Sequence, residues 1–201
     1  MRNIAIIGRA ASTHHKAPWD DSRWEKWGLP WDAGYWTQYD RFFEMHPRDE
    51  LETKEADRPD DYWERLKEFI DWGPIYMHQH WPDIPRSEAY PLDVVNADVF
   101  ATFPRATWGQ VDWYNCSPAY MLALAIYERP ARIGLWGIDV GQKGEYAYEN
   151  PNLAYLIGLA VGKQIEVILP EGPTNLLKYH GVNIPFGVKK LTYPHRYGYL
   201  T

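Results

Sequence analysis

The most evident chemistry in this chain lies in its histidines, which stand at positions 14, 15, 46, 78, 80, 180 and 195. An imidazole exchanges its proton near neutral pH, so each is a candidate acid or base. His78 and His80 would share one face of a strand, where they could act as acid and base or ligate a metal. Because no carboxylates stand beside them at a ligand-like spacing, we expect no metal site. The candidates for a catalytic base are His14, His46 and His78.

A second group of residues suits the binding of phosphate or another anion. After an apolar run, Gly8 allows a tight turn, Arg9 supplies planar donors, and Ser12 supplies a hydroxyl. The turn does not match GxGxxG, and the chain contains no GxxxxGKS or GxxxxGKT motif, so an ordinary strand-to-helix turn is the alternative interpretation. Ser117 precedes an apolar helix and is either a helix cap alone or a cap whose neighbouring amides face an anion.

A third group follows another apolar run, which ends at Gly137-Ile138-Asp139. A carboxylate at a strand end can accept hydrogen bonds from a ribose, ligate a metal or exchange a proton. Tyr146 and Tyr148 come shortly afterwards, and their hydroxyls could meet one phosphate. Cys116 has no readable His or Asp partner, so we expect a buried thiol instead of a nucleophile.

The spacing of apolar residues predicts the elements that position these side chains. Predicted strands cover residues 3–8, 24–29, 41–46, 75–78, 132–138 and 165–169. Predicted helices cover residues 59–72, 117–127 and 153–161. The charged segment 47–61 is expected to be solvated, and the proline-containing segment 81–91 to be a loop.

Strand and helix alternate over residues 117–178, which predicts an α/β fold. We expect a single Rossmann-like domain over residues 1–179, with a mostly parallel, doubly wound sheet and helices on both faces, followed by an irregular tail at 180–201. Ligands bind such sheets outside the carboxyl ends of the strands, where the strand order reverses. The turns after Gly8, before Ser117 and after Asp139 should therefore converge.

Composition excludes several classes of protein. The 201 residues are 45% hydrophobic and 24% charged, which is typical of a globular domain. No apolar run is long enough to span a membrane. The net charge of −6 argues against nucleic acid as a partner, except as a modified substrate. A single cysteine excludes an internal disulfide and favours a cytoplasmic location.

The aromatic content is high, with 11 Trp and 15 Tyr residues. One interpretation is a Trp-rich core together with a self-association surface, which would make the chain a homo-oligomer. The other is that some of the rings stack on a flat ligand such as a base or a sugar. The sequence leaves both open.

Residues 117–149 resemble the core of bacterial sialyltransferases that use CMP-sialic acid. They resemble more loosely the motility-accessory-factor glycosyltransferases and the hydroxymethylpterin pyrophosphokinases. The matching positions are the turn from Gly8 to Ser12, Ser117, Gly137-Ile138-Asp139, Tyr146, Tyr148, Leu169-Pro170 and Asn175-Leu176-Leu177. The resemblance implies a Rossmann-like nucleotide site in which the two tyrosines hold the phosphate. Its other binding residues would be Gly8, Ser12, Ser117, Gly137 and Asp139, to which the charge of Arg9 in the first turn of this chain would add a further phosphate contact.

The chain departs from that family in ways that bear on catalysis. The family has asparagines in the first turn and after the second strand, where this chain has Arg9 and, approximately, Pro30. Its lid with a catalytic histidine has no counterpart in residues 150–164. The resemblance implies a nucleotide or nucleotide-sugar ligand with no required cofactor or metal.

Two functions remain open at this stage. The first is a glycosyltransferase-like enzyme with a nucleotide-activated donor, and the second is a non-catalytic module that sequesters a nucleotide-derived signal. A magnesium-dependent phosphotransferase ranks third, because few carboxylates accompany Asp139. The stretch DDxxWExWGL at residues 20–29 resembles short bacteriophage proteins, which would suit a counter-defence role for the second function.

Overall fold

Seven short strands form one sheet in the computed structural model, which describes residues 2–30, 38–52, 61–68, 71, 73–101, 114–140, 149–171 and 176. The strands are β1 (Asn3–Ile7), β2 (Trp24–Gly28), β3 (Arg41–Phe43), β4 (Ile75–Met77), β5 (Ser87–Ala89), β6 (Arg132–Trp136) and β7 (Glu166–Ile168). The helices are α1 (Arg48–Glu52), α2 (Tyr62–Lys67), α3 (Leu92–Val99), α4 (Ser117–Glu128) and α5 (Glu149–Gly162), with a short 3-10 helix at His14–Lys16.

The strand order is β5-β4-β3-β2-β1-β6-β7, and every neighbouring pair is parallel. The chain builds outward from β1 to β5, then returns to place β6 on the other side of β1. Ile4 consequently pairs with Glu25 of β2 on one side and with Ile133 of β6 on the other. The strand order reverses between β1 and β6, so a ligand crevice is expected at their carboxyl ends.

Helices cover both faces of the sheet, which confirms the predicted fold class. Ile4 and Ile6 join a hydrophobic core that contains residues of α3, α4 and α5. Ala5 and Ile7 join a second core, with residues of α1 and α2. Successive side chains of β1 are therefore buried on opposite faces, which explains its unbroken apolar run.

Each predicted strand is present, and each ends up to three residues earlier than expected. The segment 81–91 was expected to be a loop, but it contains β5. The segment 47–61 was expected to be solvated, but it contains α1, whose Leu51 is buried in the second core. The predicted helix 59–72 corresponds to the shorter α2, and α3 was not predicted. Residues 53–60 and the tail 180–201 lie outside the described residues.

An ion-pair network joins elements at the amino edge of the sheet, opposite the expected crevice. Arg41 lies 2.6 Å from Glu25 and 2.7 Å from Glu128, the last residue of α4. Arg2 lies 2.5 Å from Glu25 and 2.6 Å from Glu128. The network thereby fastens the end of α4 to β2 and β3. Within the described ranges, none of the helices has the length and apolarity needed to cross a bilayer.

Candidate functional site

Two glycines bring the turns after β1 and β6 into direct contact. Gly8 N–H donates to the Trp136 carbonyl at 2.8 Å, and Ala10 N–H donates to the Gly137 carbonyl at 2.9 Å. A Cβ at Gly8 would overlap the Gly137 carbonyl oxygen, and one at Gly137 would overlap the Gly8 carbonyl oxygen. Gly137 also has a φ of +63°, which favours glycine. The predicted convergence of these two turns is therefore present in the fold.

Thr13 links the same two turns through a hydrogen bond of its side chain. Its Oγ1 accepts a hydrogen bond of 2.8 Å from Gly137 N–H, and this bond is buried. A buried backbone N–H needs such a partner, because leaving it unpaired costs free energy. The Thr13 hydroxyl therefore helps to hold Gly137 in its left-handed conformation. The sequence did not single out this residue.

Two oxygens in the turns that cross here are buried and have no hydrogen-bond partner among the residues that the structure describes. They are Ser12 Oγ, in the turn after β1, and Asp139 Oδ1, in the turn after β6. An unsatisfied buried polar atom costs about 1–3 kcal/mol. Most buried polar atoms in folded proteins are paired, so these two mark a place where a ligand can complete the hydrogen bonding. Both residues were predicted to bind a ligand.

The amino end of α4 differs in detail from the prediction. The N-cap is Cys116, with extended backbone at φ −163°, and Ser117 is the first residue of the helix instead of its cap. The first N–H groups of a helix have no partner within the helix, and Pro118 has no N–H. The Ser117 N–H is therefore one of the few donors that this helix end can offer to an anion. Burial raises the pKa of the Cys116 thiol to about 12, and the charge of Glu149 adds to the shift. An inert thiol agrees with the prediction.

A buried carboxylate and a histidine stand together at the end of β3. Glu44 Oε1 lies 2.5 Å from His46 Nδ1 and accepts a bond of 3.2 Å from His46 N–H. Glu44 Oε2 accepts a hydrogen bond from the Tyr62 hydroxyl at the start of α2. The Glu44 side chain is only 6% exposed, whereas that of His46 is 43% exposed. The His46 side chain is therefore held by Glu44 at the carboxyl edge of the sheet.

The other candidate histidines have different surroundings. His14 is 8% exposed, and its ring centroid lies 5.0 Å from that of Trp19. His78 Nε2 lies 2.8 Å from the Met45 carbonyl oxygen, to which it must donate, and the His78 ring meets the edge of Tyr120. The ring of His80 bonds the Ser87 carbonyl at 2.9 Å.

The strand β4 ends before both members of the predicted HxH pair, so His78 and His80 bind separate segments and do not share a strand face. Throughout the described ranges, no group of three or more His, Cys, Asp or Glu side chains is arranged to hold a metal.

Comparison with known structures finds the sialyltransferase CstII from Campylobacter jejuni. Its complex with the substrate analogue cytidine-5'-monophosphate is 16% identical, with a TM-score of 0.52 over 92% of this chain and 88% of that one. Its complex with CMP-3FNeuAc is also 16% identical, with a TM-score of 0.53 over 86% and 82% of the two chains. The chain has the CstII fold. The predicted resemblance to bacterial sialyltransferases is thus confirmed at the level of the fold.

No family model matches the chain, and no curated protein matches it by sequence. A mutant of the alpha-2,3/8-sialyltransferase CstII gives the same fold likeness, with a TM-score of 0.53, 16% identity and coverage of 91% and 90% of the two chains. The likeness therefore extends over nearly the full length of both chains.

Within this CstII-like fold, the predicted binding residues fall into three sets. Gly8 and Gly137 meet at the crossing of the two turns, Ser12 and Asp139 follow them in the same two turns, and Arg9 is exposed. Ser117 begins α4. Tyr146 and Tyr148 lie outside the described residues.

Sequence reasoning missed Thr13, Glu44 and Tyr62, whose roles depend on contacts between distant segments. The only available signal was the placement of Glu44 and His46 at the end of a predicted strand.

Proposed function

We propose that this chain binds a nucleotide sugar at the carboxyl ends of β1 and β6 and transfers the sugar to an acceptor hydroxyl. The observation that carries the proposal is the pair of buried, unpartnered oxygens, Ser12 Oγ and Asp139 Oδ1, beside the glycine crossing. The fold supports it, because CstII structures hold CMP or CMP-3FNeuAc. The place also agrees with the general rule for doubly wound sheets.

The chemistry follows from the charges at this edge. The acceptor oxygen attacks the anomeric carbon, and the bond between that carbon and the phosphate oxygen breaks. The electron pair leaves with the nucleotide, whose growing negative charge is stabilised by Arg9 and the Ser117 N–H, together with the hydroxyls of Tyr146 and Tyr148. Asp139 accepts hydrogen bonds from the ribose, and the acceptor proton passes to a histidine.

Native mass spectrometry of the purified chain with a panel of nucleotides, nucleotide sugars and cyclic dinucleotides tests this function. A nucleotide sugar that binds and returns cleaved would support a transferase. A ligand held intact and stoichiometrically through dilution would instead favour a sequestering module. The same spectra report whether the chain self-associates, which is one of the two interpretations of its aromatic content.

Substitution of the two unpartnered oxygens tests the location of the site. We expect Ser12→Ala and Asp139→Asn each to weaken nucleotide binding about 10-fold, because the first removes a hydroxyl that the ligand would bond and the second replaces a charged acceptor by a neutral amide. The matched controls are Ser22→Ala, in the turn before β2, and Asp93→Asn, in the first turn of α3. Titration calorimetry should show unchanged affinity in both controls. Equal losses in the controls and the test variants would contradict the proposed location.

A further inference from the structure

The proposed reaction needs a group that removes the acceptor proton, and three histidines are candidates. The cluster at the end of β3 favours His46, because one of its ring nitrogens lies against a buried carboxylate while 43% of its side chain is exposed. We infer that His46 is the general base of the transfer reaction and that Glu44 and Tyr62 are its positioning residues. This inference rests on the proposed function.

Hydrogen-bond chemistry assigns the tautomer of His46. An ionised carboxylate can only accept hydrogen bonds, and Glu44 Oε1 stands 2.5 Å from His46 Nδ1, so Nδ1 carries the proton. Nε2 is then the basic nitrogen. When Nε2 takes a proton, the ring becomes a cation, which the buried carboxylate stabilises at close range.

Tyr62 completes the support of the carboxylate. Its hydroxyl donates to Glu44 Oε2, the oxygen that does not contact the imidazole. Both carboxylate oxygens are thus used, and the backbone N–H of His46 adds a third bond to the first of them. A carboxylate held from β3 and α2 at once cannot rotate freely, so it fixes the plane of the imidazole.

The other two candidates have less favourable surroundings. His14 is buried against Trp19, which restricts its access to an acceptor. His78 donates through Nε2 to the neutral Met45 carbonyl. A carbonyl orients the ring but has no full negative charge to stabilise a protonated imidazole.

The position of His46 along the sheet edge suits a donor bound at the crossing of the turns. Strand β3 is two strands from β1 on the side away from β6. Neighbouring strands are about 4.8 Å apart, so the end of β3 lies about 10 Å from the turn after β1, where the phosphate is proposed to bind. A nucleotide sugar with its phosphate at Gly8 would extend its sugar along this edge toward β2 and β3. The acceptor hydroxyl would then stand between the sugar and His46.

The proton and bond balance is complete without another reactant. The acceptor O–H bond breaks as its proton moves to Nε2, and the acceptor oxygen bonds to the anomeric carbon. The departing nucleotide keeps the electron pair of the broken carbon–oxygen bond. The imidazolium then returns its proton to solvent.

The test uses variants of the full chain and the donor that the mass-spectrometric panel identifies. For His46→Ala we expect kcat to fall on the order of 10²–10⁴-fold, with nucleotide affinity within twofold of the parent. Added imidazole should restore part of that activity, which would not happen if His46 were only structural. His80→Ala, which removes a ring bonded to the Ser87 carbonyl, is the matched control and should keep kcat within threefold. His46→Gln, closer in size, provides a second measurement if the alanine variant unfolds.

Glu44 and Tyr62 act through His46 and should show it in a double-mutant cycle. Glu44→Gln should lower kcat about 10-fold, and Tyr62→Phe less, with little change in nucleotide affinity. Glu44→Gln added to His46→Ala should cost nothing further in kcat, because its target is gone.

The outcomes separate this inference from the function on which it rests. Activity that survives in His46→Ala while the parent turns over the donor would overturn the role of His46 and leave the transferase in place. A parent that neither binds nor cleaves any nucleotide sugar would overturn the proposed function itself.

Discussion

At the scale of single residues, Gly137 carries the most demanding local geometry in the proposed site. We expect Gly137→Ala to destabilise the chain by about 1–3 kcal/mol, because the φ of +63° and the approach of the Gly8 carbonyl both exclude a Cβ. The same substitution should weaken nucleotide binding by displacing the turn that holds Asp139. Urea unfolding and titration calorimetry measure the two effects.

The control for this substitution lies in α5. A Cβ at Gly158 meets nothing within 4 Å, so Gly158→Ala should stabilise the chain by about 0.5–1 kcal/mol through the higher helix propensity of alanine. It should leave binding unchanged. A stable Gly137→Ala variant with normal affinity would show that the crossing of the turns tolerates a side chain.

Some site residues were predictable from sequence because they adjoin predicted strands. Gly8 and Asp139 follow apolar runs that end in turns, so their place at the ligand edge followed from the fold class alone. Glu44 and Tyr62 stand 18 residues apart in the chain and meet only because α2 packs beside the end of β3. No local pattern encodes that contact, so the support of His46 could not be predicted.

At the scale of elements, apolar runs predicted the strands that are buried on both faces. β1 reads NIAII and was predictable. β5 reads SEA, with two exposed residues, and it is a strand because β4 supplies its hydrogen bonds. An edge strand defined by its neighbour has no sequence pattern of its own, which is why the segment 81–91 was predicted as a loop.

The ion-pair network at the amino edge of the sheet leads to a prediction about the contribution of Glu128, at the end of α4, to stability. Burial alone would lower the pKa of the Arg41 guanidinium, but the hydrogen bond and charge of Glu128 outweigh burial and raise that pKa. We expect Glu128→Gln to cost about 1–3 kcal/mol of stability, because it leaves a half-buried guanidinium short of a charged partner. Nucleotide affinity should not change, since this network lies at the opposite edge of the sheet.

The matched control is Glu166→Gln, which breaks the exposed pair between Glu166 and Arg132. Their side chains are 58% and 50% exposed, so the loss should be under about 1 kcal/mol. Thermal unfolding of the two variants at equal ionic strength makes the comparison. A larger loss for Glu166→Gln would mean that burial does not decide the strength of these pairs.

At the scale of the whole molecule, the alternation of strands and helices predicted a parallel, doubly wound sheet but not its strand order. The order depends on where the chain turns back, and here it turns back only after four strands, β2 to β5, have been laid on one side of β1. That choice places the ends of β1 and β6 side by side and the end of β3 about 10 Å away. The distance between the turn after β1 and His46, the proposed base, therefore depends on the strand order, which individual motifs do not specify.

The rate at which Cys116 is alkylated can be used to measure opening of the fold around α4. Burial raises the pKa of the Cys116 thiol to about 12, so the reactive thiolate is scarcer in the folded chain than in the unfolded one. We expect alkylation followed by mass spectrometry to be slower in buffer than in denaturant. If labelling proceeds through opened molecules, nucleotide at 100 times its Kd should slow it about 100-fold further. Labelling that is as fast in the folded chain as in denaturant would place the thiol at the surface. Labelling that is slow but insensitive to nucleotide would show that opening around Cys116 is independent of the binding site.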